Sequence, residues 1–124
     1  MGRIVAIGSA LRKNNMTEVL LVITHMPDAA SADALARQII AAHAAACVNR
    51  LAPCTSVYRW QDKIETAIEF PLLIKTTRAA YARLENLILA SHPYELPDIV
   101  ALPVTEALPE YLQWVNTETQ TLKE

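Results

Sequence analysis

The spacing of apolar residues changes several times along this chain, and each change marks an element. Glu18 to Thr24 (EVLLVIT) is an unbroken β-branched apolar run, the pattern of a central strand covered on one or both faces, and Pro27 ends it. Helical spacing follows. Ser31 is placed to cap, Asp33 lies in the first turn, and Leu35, Ile39, Ala42 and Ala46 recur on one face, predicting a helix to about Ala46. From Cys47 the pattern turns extended through Val48, Leu51, Val57, Tyr58 and Trp60, and Pro53, which has no N–H for a ladder, must interrupt it. Gln61, Asp62 and Lys63 separate this segment from a long strand, Ile64 to Thr77, so the two form a hairpin. Pro71 within that strand predicts a second irregularity or a change of pairing partner. Thr77 is placed to cap a second helix with a buried stripe of Tyr81, Leu84, Leu87 and Ile88, while Arg78, Arg83, Glu85 and Asn86 face water; Pro93 stops it. Asp98 to Val104 reads as a last strand, and Pro109 opens a short C-terminal helix carrying Tyr111, Leu112 and Trp114. The polar tail from Asn116 is expected to fray.

The order β-α-β-β-α-β is the ferredoxin-like arrangement of an α+β sandwich with an antiparallel sheet. Right-handed crossovers give strand order 4-1-3-2 and put both helices on one face. Two helices cannot cover all the apolar strand surface, so self-association through the open face and the long hairpin is expected. The same topology brings Thr24 and His25, after the first strand, to the end of the domain that holds Ser91 and His92, after the second helix. Cys47, after the first helix, belongs to the opposite end.

Composition narrows the function classes. With 124 residues, 52 % of them hydrophobic, the chain has material for one core; 19 % charged residues and only 2 glycines argue against disorder. A net charge of −2 provides no basic field for a phosphate backbone, so no nucleic-acid partner is expected. No apolar run approaches the roughly 18 to 20 residues that span a bilayer, and no membrane partner is expected either. Arg3 followed by IVAIGSAL looks like the start of an export signal, yet its apolar core is short and Arg12, Lys13, Asn14 and Asn15 follow at once. Residues 1–15 therefore read as a flexible extension before a single domain at 16–124, with Met16 an alternative start. Cys47 and Cys54 form neither a disulfide framework nor a zinc pattern, which points to a reducing, cytoplasmic setting. Gly-rich phosphate loops, G-x-S-x-G, H-E-x-x-H and C-x-x-C are all missing from the sequence, and a non-enzyme is expected.

The segments AACVN (Ala45 to Asn49), TSVYRW (Thr55 to Trp60), WQDKIE, PLLIKTT, HPYELPDIVALPV and LPEYLQWV occur in an order and spacing that resembles the CutA family over nearly everything after Met16. The resemblance implies a small homotrimeric domain, with hairpins pairing around a threefold axis, linked to divalent-cation tolerance. Some members are described with copper ligands at a Cys near the end of the first strand and at two consecutive His before Pro-Tyr. Aligned through Pro27 and Pro93, those places hold Thr24, Ser91 and His92, of which only His92 keeps a good copper ligand. His25, beside Thr24, is the candidate substitute, and Cys47 matches the Cys of the AACVN segment. The resemblance thus implies copper or another divalent cation at His92, His25, Cys47, Thr24 and Ser91, with His92 weighing more than Cys47.

A second candidate set, Tyr58, Trp60, Lys75, Tyr94 and Glu95, also falls in matching segments. Lys75 lies on an apolar strand and needs an anionic partner, which Glu95 is expected to supply. Structurally this reads as an ion pair beneath aromatic packing at a subunit contact; functionally, as a small-molecule cleft between subunits, like that of the similarly folded PII-type trimers. The expectation is a trimer acting in copper or other divalent-metal tolerance by metal binding or by regulating another protein. The alternative is a PII-like sensor of a small anionic metabolite.

Overall fold

Strand β1 (Val19–Met26) alternates between two environments: Leu20, Val22, Thr24 and Met26 are buried, while Leu21, Ile23 and His25 are half-buried. The computed structural model describes residues 16–121, and the expected extension at 1–15 lies outside them. Helix α1 (Ala29–Ala41) follows, then β2 (Cys47–Arg50), β3 (Cys54–Trp60), β4 (Lys63–Thr77), α2 (Tyr81–Ser91), β5 (Val100–Pro103) and α3 (Pro109–Glu118). The sheet runs β2-β4-β1-β5 with antiparallel neighbours, and β3 pairs with the first half of β4. Counting β2 and β3 as one interrupted strand, this is the order 4-1-3-2 expected from the sequence.

Pro71 marks the change of partner. Up to Glu69, which faces Cys54, β4 pairs with β3; from Leu72, which faces Arg50, it pairs with β2. The three residues between β2 and β3 hold Pro53, which can donate to neither ladder. A single core lies between the sheet and the helices, with Leu20, Val22, Leu72 and Ile74 packed against Leu35, Ile39, Leu84 and Ile88. Each such side chain contributes about 1.5–3 kcal/mol of burial.

Several boundaries differ from the sequence reading. Asp28, not Ser31, caps α1: its Oδ1 accepts from the Ser31 amide at 2.7 Å. Helix α1 stops at Ala41 rather than near Ala46, because His43 turns left-handed at φ 55°. The His43 amide then donates to Ile40 and the Ala44 amide to Ile39, each at 3.1 Å, the paired bonds of a Schellman cap. Thr77 caps the turn before α2 rather than the helix itself, its Oγ1 accepting from Ala80. Only Gln61 and Asp62 form the hairpin loop, both left-handed (φ 50° and 67°). Helix α3 continues past Asn116 to Glu118, and Thr119 is buried where its hydroxyl meets that of Thr77 at 3.3 Å. Arg83 is not a free surface residue: one Nη donates to the His43 and Thr119 carbonyls, at 2.8 Å each, joining the C-terminal ends of α1 and α3.

Candidate functional site

Helix α2 ends at Ser91, two residues before Pro93, and the loop from His92 to Asp98 is fastened to the sheet by three side chains. His92 is the pivot. Its Nε2–H donates to the His25 carbonyl at 2.7 Å and its Nδ1 accepts from the Tyr94 amide at 3.2 Å, which fixes a neutral ring with one defined tautomer. The same ring packs on Tyr94, centroids 4.7 Å apart. Tyr94 Oη then donates to Glu69 Oε2 on β4 at 2.9 Å. Asp98 grips the end of β1 twice, accepting from the His25 amide at 3.2 Å and meeting its Nδ1 at 2.6 Å.

Between this loop and the hairpin lies an open cleft of about 710 Å³. One face of the β3–β4 ribbon supplies Ser56, Tyr58, Trp60, Ala67 and Glu69, as the paired register and the two-residue period require. Arg59 also borders the cleft, although its position opposite Ile64 belongs to the other face of the ribbon; His25, Tyr94, Glu95, Leu96 and Asp98 complete the wall. Burial, followed by the hydrogen bond to Glu69 and the negative charge there, pushes the Tyr94 phenol well above its ordinary 10.0. Polar groups at the base of the cleft are thus tied to one another, while aromatic surface remains open.

Four of the five residues expected to form a cleft, Tyr58, Trp60, Tyr94 and Glu95, are brought together. Lys75 is not among them. It faces Cys47 and Leu21 in the sheet, and its Nζ donates to Asn49 Oδ1 at 2.7 Å, so the expected pair with Glu95 is replaced by a neighbour on β2. Sequence reasoning missed Glu69 and Asp98. Glu69 alternates with Phe70, Leu72 and Ile74 and so reads in sequence as the strand's other face; Asp98 is 73 positions from the histidine it holds.

The metal set does not converge. Thr24 and His25 are consecutive on β1 and their side chains leave opposite faces, so His25 cannot substitute for Thr24. Thr24 Oγ1 is buried with no hydrogen-bond partner among the described residues, Ser91 Oγ donates to Gln38 at 3.2 Å, and both His92 nitrogens are engaged. Cys47 lies level with Leu21, three positions or about 10 Å along the sheet from Thr24, and its thiol donates to Asn49 at 3.6 Å. Among the described residues no group of three or more His, Cys, Asp or Glu side chains is arranged to hold a metal ion. The donor set does not fit a copper site within one chain.

The profile of the CutA1 divalent ion tolerance protein family matches residues 20–118. This chain belongs to the CutA family. A divalent-cation tolerance protein CutA of Thermus thermophilus is 40 % identical over 104 residues, covering 84 % of this chain and 99 % of the relative. Among solved structures, CutA from Xylella fastidiosa superposes with a TM-score of 0.81 at 43 % identity, covering 83 % of this chain and 99 % of the other. A Nostoc CutA described as PII-like, in its apo form, gives 0.76 at 32 % identity over 82 % of this chain and 97 % of the other. These CutA likenesses agree with the ferredoxin-like α+β topology. The family match spans both the hairpin and the loop that form the cleft.

Proposed function

We propose that this protein is a non-catalytic homotrimer that serves divalent-cation tolerance in the cytoplasm as a ligand-responsive regulator, with the hairpin cleft as its effector site. The cleft carries this reading. Its volume lies within the roughly 300–1,000 Å³ of small-molecule sites, and its exposed aromatic rings stand beside polar groups already fixed in place. The likeness to a CutA described as PII-like supports a binding role over turnover. For assembly, the support is the outer face of the same hairpin, where Val57, Ile64 and Ile68 are 67, 71 and 58 % exposed.

A thermal-shift screen of the purified trimer against metabolites of both charge classes tests the effector site. Stabilising hits that vanish in Tyr58→Ala and Trp60→Ala are expected; a screen without hits would remove the cleft reading. Copper remains a second reading on one observation. His25 uses only Nδ1 among the described hydrogen bonds, leaving Nε2 for a cation that other subunits help to hold. Copper titration of the trimer with His25→Ala as the control decides it.

A further inference from the structure

Glu69 is only 9 % exposed, and its one hydrogen-bond partner among the described residues is the Tyr94 hydroxyl. The described ion pairs join His25 to Asp98, Arg50 to Asp33 and Arg78 to Glu18; none includes Glu69. A carboxylate withdrawn from water is best matched by a cation, and one neutral hydroxyl replaces only part of the hydration it has lost. The rest of the wall does not help. Glu95 and Asp98 add negative charge, His25 is already matched to Asp98, and Arg59 springs from the other face of the ribbon and makes no described ion pair with Glu69.

Tyr58 and Trp60, 45 and 36 % exposed, stand on the same face of the ribbon as Glu69, level with positions four and six residues from it towards the hairpin tip, and Tyr94 adds a third ring to the wall. Exposed aromatic faces attract cations through the ring quadrupole, most strongly for Trp. An anion here would meet two or three carboxylates and the negative faces of the rings. A bare metal ion would find room far beyond its size and no group of three ligands. An organic cation satisfies each feature: its charge meets Glu69, and its carbon body covers the aromatic wall.

We propose that the cleft binds an elongated organic ammonium compound, one charged nitrogen seated against Glu69 and its carbon chain laid along Tyr58 towards Trp60. The proposal rests on the cleft being the effector site and reverses the ligand charge expected from the sequence. It makes Glu69 the specificity-determining residue of the site.

Isothermal titration of the trimer with spermidine, spermine and citrate, at one ionic strength, tests it. Saturable binding of the ammonium probes and none of citrate is expected. Glu69→Gln should weaken the ammonium probes tenfold or more, whereas Glu110→Gln, on α3 and outside the cleft, should not. Should Glu69→Gln fail to fold, Glu95→Gln, on the exposed loop, takes its place with an expected severalfold loss. Citrate binding that is lost in Trp60→Ala, with no binding of the ammonium probes, would overturn the cation assignment and leave the cleft intact. If Glu69→Gln instead breaks the trimer and the ammonium probes do not bind, the counter-charge comes from a neighbouring copy and the proposal fails.

Discussion

His92 fastens its loop through both edges of one imidazole, and this role competes with ligation because no lone pair is left over. Replacing it with Ala leaves the His25 carbonyl and the Tyr94 amide without partners, an expected loss of about 1–3 kcal/mol in urea denaturation. Copper affinity measured on the same variant should stay unchanged; a tenfold fall would restore the ligand role that the resemblance implied. Tyr94 has a different signature. Its phenol is held neutral above the ordinary 10.0, first by burial and then by Glu69, so the folded chain keeps a proton that the unfolded chain loses as pH rises past that value. Its stabilising contribution is complete below pH 10 and falls above it, by up to about 1.4 kcal/mol per pH unit. Tyr81 and Tyr111 shift the same way, so in urea melts between pH 9 and 11.5 Tyr94→Phe should reduce the alkaline slope without abolishing it. None of this is visible in the string HPYE. The sequence marks His92 and Tyr94 as unusual, but which nitrogen donates, and to what, depends on β1 and β4 arriving beside the loop.

Elements followed the hydrophobic pattern closely wherever their limits were set locally, and departed from it where distant residues set them. Pro53 and Pro71 announced the break between β2 and β3 and the change of partner on β4 because a missing N–H acts at its own position. The end of α1 gave no such warning. Ala42 to Ala46 continue the apolar spacing and no glycine marks the stop, yet His43 is held left-handed by Arg83 on its carbonyl and by its own Nδ1–H on the Glu118 carbonyl. Arg83→Met should therefore loosen the ends of α1 and α3 together, costing about 1–3 kcal/mol by thermal or urea melting. At the hairpin tip the opposite change is available. Asp62 adopts φ 67° without being glycine, so Asp62→Gly should raise stability by roughly 0.5–1 kcal/mol, read as a higher urea midpoint.

At the scale of the whole molecule, the alternating strand pattern gives the hairpin two unlike sides. Val57, Ile64 and Ile68 project from one and Tyr58, Trp60 and Glu69 from the other. Light scattering should report a trimer, and Ile64→Asp with Ile68→Asp should yield monomers that remain folded by circular dichroism, since both side chains lie outside the core. The cleft was legible only in part: its aromatic residues stand out in sequence, whereas its acidic base is assembled from β4 and a loop that only the sheet order brings together. On the proposed reading, a ribbon that assembles through its back and binds a ligand on its front links two equilibria through one element. Whatever factor a bound molecule applies to subunit affinity, assembly must apply to the affinity for that molecule. Dilution should then weaken ligand binding before the fold is affected, making the protein's own abundance one of the signals it reads.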